Sequence, residues 1–207
     1  MRKLIHYGTL HHFPFLPIEE TPQIRIALEA YESLLREVFT DLSEELIQEH
    51  QKNPFHRVYM EGVCDLPSLG EEDHAVTLPA RALVSQGVAL ERTEHRGINY
   101  LCYILQGRIG ELQEGLKKIR VEDFLDCLEN QEYRLTLEMF FDGLEYADIH
   151  TARELWISRR IRLSLKEGER GVLFLGKSHN QDTIQRFLTP DTQYKYIDLF
   201  PDYLNDL

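Results

Sequence analysis

The chain has 207 residues, of which 43% are hydrophobic and 28% charged, a balance that is typical of globular proteins and excludes a disordered chain or a coiled-coil rod. With 35 acidic against 23 basic residues, the net charge of −12 gives no general attraction to nucleic acid or to anionic membranes. No apolar run approaches the roughly 20 residues of a membrane span and no signal peptide is apparent, so we expect a cytoplasmic protein.

The first half of the chain predicts short strands separated by helices. Residues 3–10 are strongly apolar and predict a strand that is closed by Gly8. Apolar residues then recur every three or four positions from Ile24 to Leu46, which predicts a long amphipathic helix that ends near Asn53. A second strand, a short helix and a third strand are expected over residues 56–63, 78–86 and 88–90.

The second half repeats this alternation. Residues 108–145 have helical periodicity and predict a helical insertion, followed by a long helix over about 146–167. GVLFL at 171–175 predicts a fourth strand, and 194–199 a last one. Apolar strands separated by helices predict an α/β fold with a mostly parallel sheet flanked by helices. No linker is long enough to divide the chain, so we expect a single domain over 1–207.

Histidines follow two of the predicted strands at the same spacing. Gly8 and His11 follow the first strand, and Gly176 and His179 follow the fourth, each as G-x-x-H. One such motif is more typical of a polar loop, but ligand sites of parallel sheets lie beyond the carboxyl ends of the strands, and two motifs there favour one shared site. His12 is an alternative to His11. The other histidines are expected to be structural or surface residues: His6, His50, His56, His74, His95 and His150.

Charged residues accompany these histidines. Glu61, directly before the motif glycine Gly62, ends the second strand, and Glu94 follows the third, with Glu91 as an alternative for the same position. An acidic residue at the end of an apolar strand is expected either near a site or in an ion pair. Arg153 lies on the helix that leads into the fourth strand, where the alternative is a solvent-exposed helix face.

These residue types suit hydrolysis. Two imidazoles and a carboxylate (His11, His179 and Glu61) are a common ligand set for a divalent metal such as Mn, Co or Zn, which would lower the pKa of a bound water. The second carboxylate, Glu94, would transfer protons, and Arg153 would hold an anionic substrate or a developing oxyanion.

The motifs, in this order over residues 3–180, resemble the TraB/Tiki superfamily, which includes pheromone-shutdown proteins, Tiki proteases, erythromycin esterases and ChaN-like haem-binding proteins. The pattern departs from the family where Glu154 follows Arg153, a position that is usually Asp or Asn. The resemblance implies a hydrolase, either a metal-dependent peptidase or an esterase in which a histidine and a carboxylate activate water without a metal.

Two other functions stay open. The same scaffold would serve a non-catalytic protein that binds haem or another small molecule, or a regulatory protein. A partner-binding protein that acts through acidic helices is a third hypothesis. For the hydrolase we expect a small-molecule or peptide substrate and no nucleic-acid or membrane partner. The sequence leaves open whether the protein forms a homo-oligomer.

Overall fold

The computed structural model describes residues 1–9, 22–64, 69, 74–98, 146–177, 179–188 and 191–200. Five strands and four α-helices lie entirely within these ranges. In chain order they are β1 (Arg2–Thr9), α1 (Pro22–Lys52), β2 (Arg57–Met60), α2 (Leu78–Ser85), β3 (Ala89–Glu91), α3 (Tyr146–Ser164), β4 (Arg170–Gly176), α4 (Gln181–Leu188) and β5 (Thr192–Asp198). The predicted helical insertion over 108–145 lies outside the described residues.

The five strands form one parallel sheet in the order β3-β2-β4-β1-β5, which confirms the predicted α/β class. β1 and β4 pair from Lys3 opposite Arg170 to Thr9 opposite Gly176. The strand that follows β1 in sequence lies on one side of this pair, and the strand that follows β4 lies on the other. Such a reversal at neighbouring strands is where open parallel sheets bind ligands, beyond the carboxyl ends.

Helices cover the two faces of the sheet in pairs that follow the chain. α1 and α2 pack on one face, and α3 and α4 pack on the other, because successive strand residues point to opposite faces. The first core contains Phe39, Leu46, Leu83, Val172 and Phe174, among others. The second core contains Leu4, Tyr59, Ile157, Ile161 and Leu173, among others.

Glycines fix two of the element ends. α2 ends in a Schellman motif, in which the Val88 N–H donates to the Leu83 carbonyl (3.1 Å) and the Gly87 N–H to the Val84 carbonyl (2.9 Å). Gly87 has a φ of +86°, as this motif requires. β2 is shorter than the predicted strand, because the chain turns at Glu61 and Gly62. Gly62 has a φ of +84°.

Two further differences concern helices. α3 ends at Ser164 rather than near residue 167, and the chain reaches β4 through a turn at Gly168. α4 is not among the predicted elements, although its sequence carries two helix signals. Asn180 directly before it is a common N-cap residue, and its side chain accepts the Thr183 N–H (3.0 Å). Ile184 and Leu188 are spaced one turn apart, and both are buried. In the part of the chain that the structure describes, no helix is long and apolar enough to cross a membrane.

Candidate functional site

Four of the side chains singled out in the sequence meet at the carboxyl end of the sheet. Glu61 follows β2, Glu94 follows β3 and His179 follows β4, while Arg153 comes from the first half of α3. His11 lies outside the described residues, as does His12. The structure thus brings together four of the five predicted site residues, and their catalytic or ligand roles stay predictions.

Local hydrogen bonds place Glu94 beside the turn after β2. The N–H groups of Thr93 and Glu94 both donate to the Val63 carbonyl (2.9 and 3.0 Å), and the Thr93 hydroxyl accepts the Met60 N–H (2.9 Å). Arg153 is placed by helical spacing, since it lies one turn before Ile157 on the side of α3 that faces the sheet. Two unrelated local structures therefore bring the carboxylate and the guanidinium together.

Arg153 links the two carboxylates. Its Nε donates to Glu94 Oε2 (3.1 Å), and its Nη2 donates both to Glu94 Oε1 (2.6 Å) and to Glu61 Oε1 (2.8 Å). The Gly62 N–H also donates to Glu94 Oε1 (3.2 Å). Paired guanidinium–carboxylate bonds of this kind fix geometry as well as charge. With a fully buried side chain and these donors, Glu94 is better placed to anchor Arg153 than to transfer protons.

Glu61 is the member of the cluster that reaches the surface. Its side chain is 16% exposed, whereas those of Glu94 and His179 are 0% exposed. Oε1 accepts bonds from Arg153 and from His179 Nε2 (3.2 Å), and Oε2 accepts the Gly176 N–H (2.7 Å). These donors hold the carboxylate across the ends of β2 and β4.

His179 lies between two carboxylates. Nε2 faces Glu61, and Nδ1 is 3.9 Å from Oε1 of Glu154, the residue that departs from the family pattern. Burial raises the pKa of Glu154, while the Asn180 N–H, His179 and Arg153 act in the opposite direction.

The structure also decides between the two glutamates that the sequence offered at the end of β3. Glu91 forms an ion pair with Arg57 at the start of β2 and does not contact Arg153 in the described contacts. Glu94 holds Arg153 and lies next to Glu61. Glu94 is therefore the residue of this pair that belongs to the cluster.

Sequence reasoning missed a histidine and two tyrosines beside the cluster. His6, expected to be structural or at the surface, is buried in β1; its Nδ1 is hydrogen-bonded to the Tyr194 hydroxyl, and its ring meets that of Tyr196 edge to face at 5.0 Å. Burial lowers the pKa of His6 to about 3; His179 acts in the same direction, and Glu61 opposes them. Its position two residues before Gly8, on the same strand face, was the available signal.

The cluster can in principle hold a metal ion. Glu61, Glu94 and His179 each offer one ligand atom, and these atoms lie within 4.8 Å of one another. The guanidinium of Arg153, however, already donates to the facing Oε1 atoms of both carboxylates. The donor set thus suits a metal in composition, but a metal would have to displace Arg153 from these oxygens, and in this conformation Arg153 is the cation between them.

No protein-family model, curated protein or solved structure matches the chain. The resemblance to the TraB/Tiki superfamily therefore rests on the sequence motifs, and the function has to be inferred from the chemistry of the site.

Proposed function

We propose that the protein is a hydrolase of the TraB/Tiki type that cleaves an ester or amide bond of a small-molecule or peptide substrate at the Glu61–His179–Arg153 centre. One observation carries the proposal. Four ionisable groups from four chain segments meet beside the β1–β4 pair; Glu94, Arg153 and His179 are buried, and Glu61 is partly exposed. Burying charges is costly, and such clusters at the ligand-binding end of a sheet are typical of active sites.

The contacts support a general-base role for Glu61. The partly exposed carboxylate takes a proton from a water molecule as the water oxygen attacks the carbonyl carbon of the substrate. Glu61 holds that proton, and His179, whose Nε2–H donates to Glu61 Oε1 (3.2 Å), keeps the carboxylate oriented while it does so. The proton finally passes to the leaving alcohol or amine when its bond to carbon breaks, so that one water is consumed and one acid is released.

Arg153 keeps this centre assembled. Anchored by Glu94, it presents Nη2 to Glu61 and fixes the orientation of the base. Holding the base in place before the substrate arrives removes a reorganisation cost from the reaction. This assignment gives Arg153 and Glu94 positioning roles.

A metal-dependent variant of the same hydrolase is the second candidate, and the 4.8 Å grouping of Glu61, Glu94 and His179 favours it. A divalent ion such as Mn, Co or Zn would supply a water of lowered pKa. The hydrogen bonds of Arg153 to both carboxylates favour the metal-independent form. Elemental analysis of protein purified without chelators, together with rates before and after EDTA treatment, separates the two.

The test of the proposal compares two glutamates in similar surroundings. Glu61→Gln removes the base, and Glu91→Gln is the matched control, because Glu91 is 17% exposed and also pairs with an arginine. On p-nitrophenyl acetate, p-nitrophenyl butyrate, a lactone and labelled casein, we expect turnover of at least one probe by the wild type and by Glu91→Gln. We expect a loss on the order of 100-fold or more in Glu61→Gln. Wild-type rates in Glu61→Gln, or no turnover by the wild type, would contradict the proposal.

A further inference from the structure

Tyr196 of β5 lies on the side of the site toward β1, and its hydroxyl has no role in the reaction proposed above. In the parallel register of these strands, His6 lies opposite Tyr196, and Gly8 lies opposite Asp198. Neighbouring residues in register point to the same face, so Tyr196 lies on the face of the sheet that α3 and α4 cover. Its ring packs against His6, and no hydrogen bond of its hydroxyl is found within the described residues.

Gly8 makes room for this phenol. A Cβ added at Gly8 would collide with the Tyr196 hydroxyl and would come within 2.8 Å of its Cζ. The Tyr196 side chain therefore leans across the end of β1, into the space that any other residue at position 8 would fill. The first glycine of the G-x-x-H motif is thus explained by the approach of Tyr196.

This position borders the Glu61–His179 pair. Gly8 lies opposite Leu175 in the neighbouring strand β4, at a strand spacing of about 4.8 Å. The next residue, Gly176, donates its N–H to Glu61 Oε2. The Tyr196 hydroxyl and the Glu61 carboxylate therefore flank the adjacent carboxyl ends of β1 and β4, and both side chains are partly exposed. A substrate carbonyl between them would meet a base on one side and a donor on the other.

The phenol is suited to donate. Burial, and secondarily the charge of Asp198, raises the pKa of Tyr196, so the hydroxyl stays protonated at neutral pH. The position of the Tyr196 hydroxyl over Gly8 is the basis for assigning it as a donor, and the raised pKa of Tyr196 supports this assignment.

We propose that Tyr196 is a further catalytic residue of the hydrolase, the hydrogen-bond donor to the oxyanion, and that Gly8 is the positioning residue that admits it. The inference rests on the proposed function. When the water oxygen bonds to the carbonyl carbon, the π electron pair moves to the carbonyl oxygen, and the Tyr196 O–H donates to that oxygen without giving up its proton. When the carbonyl re-forms, the bond to the leaving group breaks and the hydrogen bond weakens.

Tyr196→Phe tests the donor with little change in shape. On the probe that the wild type hydrolyses fastest, we expect kcat to fall on the order of 100-fold with KM nearly unchanged, because the oxyanion exists only beyond the ground state. Tyr59→Phe is the control, since it removes a hydroxyl that bonds Ser164 on the same sheet face, away from the site. Its kcat should stay at the wild-type value.

Gly8→Ala tests the positioning role through non-additivity. If Gly8 acts by admitting the Tyr196 hydroxyl, Gly8→Ala should lower kcat strongly in the wild type but add little in the Tyr196→Phe background. Circular dichroism checks that each variant is folded, and Tyr196→Phe alone decides the donor role if Gly8→Ala does not fold. Wild-type kcat in Tyr196→Phe, with Glu61→Gln inactive, overturns this inference and leaves the proposed function intact. A wild type that turns over no probe overturns both.

Discussion

Near each end of β2, an arginine lies between two glutamates. At its start, Arg57 pairs with Glu91 and with Glu169, and the Arg57 side chain is 23% exposed. Just beyond its end, Glu61 belongs to the second group, in which the Arg153 side chain is only 9% exposed. The two clusters contain the same three charges and lie near opposite ends of one strand, yet they differ in depth and in neighbours.

The difference shows which features mark a site. Among the described contacts of the two clusters, a histidine is hydrogen-bonded to a carboxylate only in the Arg153 cluster, which also lies at the carboxyl ends of the strands next to the β1–β4 pair. Near the surface, Arg57 connects β2 to Glu91 at the end of β3 and to Glu169 in the turn before β4. Burying the same charges costs more than solvent-exposed pairing returns, and this cost is one reason why we propose a functional role for the Arg153 cluster.

The two clusters should differ most clearly in how much stability is lost when their arginine is replaced. Arg153→Met leaves the fully buried Glu94 without its cation, and we expect the free energy of unfolding to fall by about 3–5 kcal/mol. Arg57→Met should cost only about 1 kcal/mol, since its partners retain access to water. Urea denaturation of both variants measures the two losses. Equal losses would show that the two clusters are energetically alike.

The pH dependence of stability should come from the site end of the sheet. The pKa of His6 falls from 6.5 to about 3 on folding, so the unfolded chain takes up this proton first as the pH falls. The stability that comes from the neutral His6 is complete above pH 6.5 and is lost as the pH falls toward 3. Between pH 7 and pH 5 the wild type should lose about 2 kcal/mol more than His6→Gln. The groups that face His6 are His179, Glu61, Tyr194 and Tyr196.

Denaturation curves at the two pH values provide this measurement. The quantity compared is the change between pH 7 and pH 5 within each protein, so a general destabilisation of the variant cancels. The same change in both proteins would rule out His6 as the source of the pH dependence.

The smallest effect is expected midway between the two clusters. Tyr59 lies between Arg57 and Glu61 on the same face, is fully buried, and its hydroxyl bonds the Ser164 hydroxyl at 2.7 Å. Tyr59→Phe should cost about 1 kcal/mol, since it removes one neutral hydrogen bond and leaves the packing in place. Thermal unfolding compared with Arg153→Met is the measurement. A loss as large as that of Arg153→Met would mean that the strand responds as one unit.

Most of the described fold follows from local sequence signals. The regular apolar spacing along α1 and the glycines that close the strands predict the α/β class, and the parallel sheet confirms it. The rule that sites lie beyond the carboxyl ends of strands then selects Glu61, Glu94 and His179. The structure places these three side chains in one cluster with Arg153, which was singled out on the helix before β4.

What the sequence did not predict depends on contacts between distant residues. Whether Glu91 or Glu94 faces the site is decided by the turn that ties Thr93 to Val63, and no local pattern encodes that hydrogen bond. His6 and Tyr196 meet only because β1 and β5 are in register, far apart in sequence. The reason for glycine at position 8 likewise requires the position of the Tyr196 side chain.

The place of β1 in the sheet has a consequence for synthesis on the ribosome. Its two neighbours in the sheet are β4 and β5, so that Lys3 pairs with Arg170 and with Gln193. β1 is synthesised before either of these partners, so its native pairs cannot form until β4 and β5 have been made. Such long-range pairing slows folding and leaves strand edges open to aggregation in the meantime. The central pair that frames the site is therefore completed late, and incomplete chains that end before β4 cannot assemble it.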